Sequence, residues 1–456
     1  MHIGRNGATR SLTVVASALL SACGKPVETS TPEKLPDTPI FYVDAAAGSD
    51  TNHGRTAKAP FRTLNRAAGA VKPGWTVQVM SGTYTSDGTE NPLTVSVSGN
   101  PGAWITFTAA SGQHPVIQIP RGAWAGIHLF GVSYVIIDGF EIIGQNTTIT
   151  PAEAAANDGT QAFLNHNCVY IDGVGYADVH PPVPHDIIIR NSILHDCPAA
   201  GIEVNAADAI TIEHNRVYNN SWWTVFGTSG IGFYHLTDAG GSTTKNGYKN
   251  FVVGNLSWGN RNNIEFKAGH PPAIYDGNGI IVDDSMHTQS ALGANDVKGV
   301  PYTGRTYIAN NIVHDNGGRG VHLYRSEHVD VVNNTAWNNM LSSSTYIQSG
   351  EIDALDSSDV NVINNVAVNL VGKAVTYDDG NHYDYNLWDG ARVPFKWGHD
   401  IAGKANLTDP GGGNFAPRAG SPALRSGTNV LAPADDFLGN SRPAGAIDRG
   451  AIQVSQ

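Results

Sequence analysis

The chain has 456 residues, a formal charge of −12, only 15% charged residues and 52 glycines. The negative balance argues against a nucleic-acid partner, because phosphates select basic surfaces. It leaves open an acidic polysaccharide met by a locally basic patch. Many glycines with few charges point to frequent tight turns, and the length suits several ordinary domains or one repeat fold.

Arg5 and Arg10 precede a short apolar run, Ser11 to Leu20. That is the layout of an export signal, too short to span a bilayer. Leu20-Ser21-Ala22-Cys23 resembles a bacterial lipobox. The resemblance implies that residues 1–22 are a lipoprotein signal peptide and that Cys23 is lipidated. The protein would then be anchored to a membrane of the bacterial cell envelope, at the outer membrane or cell surface, outside the cytoplasm. Residues 23–39, rich in Pro, Thr, Glu and Lys, read as a flexible tether. Cys168 and Cys197 remain; an exported protein permits a disulfide between them, a buried thiol pair is the alternative, and no metal-type Cys spacing occurs.

Residues 40–456 read as one domain. Phe41-Tyr42-Val43 is a strand candidate, Thr63 to Val71 has helical spacing with Leu64, Ala67, Ala68 and Val71 on one face, and Trp75 to Met80 is a strand. This segment, about 41–84, is suited to cap an open stack of strands. Two units then alternate. One is a strand ending in Asn, at Asn191, Asn215, Asn255, Asn311, Asn334 and Asn365. The other is small-apolar-x-apolar, at Gly126, Gly201, Gly230, Gly279 and Gly320. The shortest Asn-to-Asn gaps are roughly 23 residues, a β-solenoid coil rather than the ~40-residue blade of a propeller. Longer gaps mark insertions. Alternate apolar residues pack inward, and stacked Asn side chains bond along the column.

The opening Tyr42-Val43-Asp44, Gly48-Ser49-Asp50, Pro60-Phe61, Thr63-Leu64, Pro73-Gly74 and Gly82-Thr83-Tyr84 resembles right-handed parallel β-helix proteins of the pectate-lyase-like superfamily. The tail is similar too, in Gly420-Ser421-Pro422-Ala423, Asp436-Phe437, Arg442-Pro443 and Asp448, within a closing segment of about 405–456. The resemblance implies an all-β, right-handed parallel β-helix with a short N-terminal capping helix. It implies little about the reaction, since this architecture hosts lyases, hydrolases, epimerases and adhesins.

Aligning the small-apolar-x-apolar units points Ile202, Ile231, Ile280 and Val321 inward. Glu203, Gly232, Ile281 and His322 then form one outward column, and Asn205, Tyr234, Asp283 and Tyr324 a second. The next position holds Ala206, His235, Asp284 and Arg325. An insertion brings Glu265, Lys267, His270 and Asp276 nearby, and Trp222 and Trp223 are available to stack on sugars.

The expected catalytic set is Lys267, Asp283, Asp284, His235 and Arg325. Glu203, Tyr234, His322, Tyr324, Trp222 and His270 would bind substrate. Lys267 with Asp276, Asp283 and Asp284 resembles the equipment of calcium-dependent pectate lyases: a base removes the proton α to a uronate carboxylate, and Ca²⁺ on the aspartates steadies the anion. This makes β-elimination of a uronate-containing polysaccharide, with Ca²⁺ as the only cofactor, the first expectation. A glycoside hydrolase using paired carboxylates is the second, and a carbohydrate-binding or adhesin β-helix the third. A monomer is expected.

Overall fold

The structure, a computed structural model, describes residues 39–454 except 176–178, 240–246, 290–297, 345–349, 373–379 and 391–397. The signal peptide, Cys23 and the tether lie outside the described residues. Residues Asp37–Gln456 form one unit.

The central coils each contribute one strand to each of three parallel sheets, which have 11, 8 and 11 strands because, among the described residues, the end coils give none to the second. In one coil these are His185–Arg190, Ile193–His195 and Ile202–Asn205; in the next, Asp208–Glu213, Arg216–Tyr218 and Ile231–Tyr234. The sheets are called here first, third and second in that order, so the eight-stranded second sheet carries the small-apolar-x-apolar repeats. Alternate residues such as Ile187, Ile189, Ile202 and Val204 fill a continuous core with 0% exposure. That burial is the main driving force for stacking the coils. The repeat glycines follow from close approach: a Cβ on Gly201 or Gly279 would sit 2.8 Å from a backbone oxygen of the next coil.

The Asn columns are ladders. Each amide nitrogen donates to the next Asn oxygen, from Asn215 to Asn255 (3.1 Å), Asn311 (3.0 Å), Asn334 (2.9 Å), Asn365 (3.1 Å) and Asn386 (3.0 Å). A second ladder at the next corner runs Asn220, Asn260, Asn316 and Asn339 and ends on the carboxylate of Glu351. These bonds satisfy polar groups that the turns bury. Asn191 is not a rung. It adopts a left-handed conformation (φ 52°) and donates outward to Asp138, while Ser192 takes the inward place against Asn215.

The N-terminal helix is shorter than its pattern, Leu64–Ala68, with Thr63 accepting from the Arg66 amide as N-cap. Its face Leu64, Ala67 and Ala68 joins the core. The closing segment runs back along the corner between the first and third sheets. Arg442 donates to Asn310 (2.9 Å) and Gly450 (2.9 Å), and Asn333 and Asn364 donate to Asp448 and Thr428. Cys168 and Cys197 form a buried disulfide.

Candidate active site

The second sheet pairs in the register read from the repeats. Glu203 lies opposite Gly232, Gly232 opposite Ile281 and Ile281 opposite His322; Asn205, Tyr234, Asp283 and Tyr324 form the neighbouring column. Two insertions before this sheet, residues 221–229 and 259–278, rise over its outer face. Asn262 pins them to each other by donating to Ser221 (2.8 Å) and Thr228 (3.1 Å), and a bridge from Phe266 to Ala273 folds the second back on itself. Arg319 holds the rim by donating to the Tyr275 carbonyl (2.8 Å). Sheet and insertions together enclose a cleft of about 770 Å³.

Three carboxyl groups line this cleft: Glu203, Asp276 and Asp283. Burial shifts all three upward. Burial and the charge of Asp276 push Glu203 up to about 8. Burial, with Asp276 and Asp284 as like charges, holds Asp283 well above the carboxylate range, against a hydrogen bond from Gln289 (2.7 Å). Burial also raises Asp276, but His322 and Arg319 oppose it, and Asn278 donates to it (3.1 Å). Asp276 is thus the one backed by positive charge. Around Glu203, the Asn205 amide donates to Oε1 (3.0 Å) and accepts from the Tyr170 hydroxyl (3.2 Å). Gly232 leaves the space the carboxylate occupies, since a Cβ there would lie 2.8 Å from Oε2.

Tyr234, His270 and Arg325 also line the cleft, with Arg325 stacked over Tyr324 (4.9 Å). Other expected residues are placed differently. The corner positions after the second-sheet strands are left-handed, with φ of 53° at His235, 51° at Asp284 and 48° at Arg325; Arg325 reaches the cleft, whereas His235 and Asp284 are buried. They pair at 3.0 Å with 1% and 0% exposure. Asp284 also accepts from Thr288 and Gln289; burial works against its charge, but these bonds and His235 keep its carboxyl below the usual range. Both residues close a turn beneath the cleft. Lys267 points away because strand-like alternation sends its neighbours Phe266 and Ala268 into the cleft; its ammonium donates to the Asn157 carbonyl. Trp222 packs against Trp223 and donates to Gly259 (3.1 Å). His322 is buried against Asp353, behind the lining.

Sequence reasoning missed Tyr170, Gln289, Trp124 and Phe226, all of which line the cleft. Tyr170 pairs with Glu203 across the sheet, so extending the register one coil toward the N-terminus finds it. Trp124 precedes the first repeat strand and is 44% exposed; Phe226, in the first insertion, is 49% exposed. Exposed aromatic rings at a concave site are a binding signal.

The chain belongs to the right-handed β-helix family, whose profile, described as right handed beta helix region, matches residues 125–366. No curated protein matches the sequence. Among solved structures, pectate lyase Pel9A is similar at 18% identity, covering 91% of this chain and 96% of that one, with a TM-score of 0.55. A rhamnogalacturonan lyase aligns at 18% identity over 76% of this chain and 87% of its own, with a TM-score of 0.47. A GH136 lacto-N-biosidase from Eubacterium ramulus aligns at 16% over 79% and 57%, with a TM-score of 0.40. At these identities the likeness is one of fold, a fold that carries carbohydrate-active enzymes.

Proposed function

We propose that this protein is an extracytoplasmic glycoside hydrolase. The observation that carries the reading is the convergence of Glu203, Asp276 and Asp283 in one cleft, where burial shifts all three upward and Asp276 alone of the three is opposed by positive charge, from His322 and Arg319. Glycoside hydrolysis needs one carboxyl that stays protonated near neutral pH and one that is charged. Glu203 suits the first role: it donates its proton to the leaving glycosidic oxygen while Asn205 and Tyr170 hold it. Asp276, backed by His322 and Arg319, suits the second, stabilising the oxocarbenium-like sugar or activating water. Asp283 and Gln289 position the sugar beside them, with Tyr234 and His270 as further contacts.

The test is release of reducing ends from a panel of polysaccharides. Wild-type protein is expected to act on at least one, and Asp276→Asn and Glu203→Gln to lose 10²-fold or more, as general acid–base groups do. Full activity in both variants would end this assignment.

Calcium-dependent elimination from a uronate polymer is the second reading, favoured by Arg325 in the cleft as a base. Asp276 and Asp283 are hard oxygen donors of the kind Ca²⁺ takes, with Glu203 beside them. Asp284 is committed to its turn, and among the described residues no group of three or more His, Cys, Asp or Glu side chains is placed to hold a metal ion. An ultraviolet-absorbing unsaturated product, formed with Ca²⁺ and lost with EDTA, would select this reading. Lipid anchoring at Cys23 belongs to the same proposal; globomycin-sensitive processing and detergent partitioning of the full chain, both lost in Cys23→Ala, would test it.

A further inference from the structure

The cleft is longer than its reacting centre. On the second sheet Trp124 stands before the strand Ala125–Phe130, and that strand pairs with Asn167–Asp172, which pairs with Ile202–Asn205. Two strand steps separate Trp124 from Glu203, roughly 10 Å along the axis, and five separate it from Arg325, roughly 24 Å. The span exceeds a single sugar ring. Trp124 and Phe226 are both about half exposed and line the same cleft. Neither ring is part of the core, and Asn167, whose backbone N–H donates to the Trp124 carbonyl (3.1 Å), lies beside Trp124 as polar lining. A large apolar face beside amide groups is the chemistry that meets a pyranose ring.

The charge pattern narrows the ligand. Among the described residues lining the cleft, three are carboxyl groups and Arg325 is the one permanent cation, placed at the end away from Trp124. With Glu203 and Asp283 holding their protons, Asp276 and Arg325 are the charges left in the lining, whereas a polyuronate would set an anion on every sugar. Burying anions that find no cation beside them selects against such a partner.

We infer that the cleft takes an uncharged glycan lying along the helix axis, with Trp124 stacked on a sugar two strand steps from Glu203. The inference deepens the hydrolase reading and rests on it for the placing of the reacting centre. Trp124 is a specificity-determining residue: it selects chains long enough to reach from the carboxyl cluster to its ring.

The experiment is affinity electrophoresis of the Asp276→Asn protein, which holds ligand without degrading it. The gels contain neutral polymers (xylan, galactan, arabinan, mannan) or polygalacturonate, each with and without Ca²⁺. The expected result is retardation by at least one neutral polymer, insensitive to added salt. Trp124→Ala should weaken it about tenfold, as loss of one stacking contact does, and Trp124→Phe should restore most of it. Retardation by polygalacturonate, whether or not Ca²⁺ is required, would overturn the inference. So would absence of retardation by every neutral polymer, or retardation unchanged in Trp124→Ala. Neutral-polymer binding through Trp124 without reducing-end release by the wild type would instead sink the hydrolase reading and leave the binding inference standing.

Discussion

Replacing Gly232 by Ala separates chemistry from stability. Gly232 lies in a regular strand, so an alanine there strains no backbone and gains up to about 1 kcal/mol over glycine from reduced chain entropy. The nearest atoms to the added Cβ all belong to the Glu203 carboxylate: Oε2 at 2.8 Å, Cδ at 3.5 Å and Oε1 at 3.7 Å. Ordinary contact begins near 3.4 Å, so the carboxylate must move about 0.6 Å. A displacement of 1 Å in a reacting group costs up to ~10²-fold, so about tenfold in kcat/KM, near 1.4 kcal/mol, is expected here. Urea unfolding should show no loss of stability. Gly230→Ala is the contrast, because its Cβ meets Asn260 and Ser257 at 2.6 Å inside the ladder, costing about 1–3 kcal/mol of stability. Unchanged turnover in Gly232→Ala would refute the placing of the reaction at Glu203. A stability loss as large as that of Gly230→Ala would refute the packing argument.

Asn311→Ala removes four bonds: it accepts from Asn255 N (2.9 Å) and Nδ2 (3.0 Å) and donates to Val252 (2.8 Å) and Asn334 (2.9 Å). About 3 kcal/mol should be lost in urea unfolding, whereas Asn191→Ala, outside the ladder, should cost under ~0.5 kcal/mol. Glu203 holds its proton to about 8 in the folded protein against an ordinary 4.5. Between those values the unfolded chain has released a proton that the folded chain keeps, so stability falls as pH rises through that window. Glu203→Gln should remove its share of this fall, roughly 4 kcal/mol by pH 8 relative to the wild type; equal pH slopes would contradict it. Turnover that depends on Glu203 as proton donor should decline as pH rises past about 8. Lys267→Ala should change kcat/KM less than about twofold, since its ammonium lies on the Asn157 carbonyl outside the cleft lining.

The coil, the inward and outward alternation and the two outward columns were legible because a parallel strand pair has one register and its side chains have a period of two. That logic placed Glu203, Tyr234 and Asp283 on one face correctly. It failed one residue later. His235 and Asp284 follow their strands directly and are buried as a pair, while Arg325 at the equivalent left-handed corner lines the cleft; alternation carries no information about corners. Lys267 was misjudged for a related reason: Phe266 and Ala268 face the cleft, and an insertion's sense of facing is set by how it folds back, through Asn262 and the Phe266–Ala273 bridge. Asp276 was read as a metal ligand; its placing beside Glu203 depends on that same fold-back. The disulfide was one of two open readings, and the fold brings Cys168, in the strand Asn167–Asp172, against Cys197, just past the strand Ile193–His195.

The most direct measurement is mass spectrometry of the product formed in heavy-oxygen water from whichever polymer is cleaved. Hydrolysis by the carboxyl cluster adds one solvent oxygen at each new reducing end, and the signal should vanish in Asp276→Asn. A product lighter by one water, without solvent oxygen and with an unsaturated sugar, would show elimination and contradict the account.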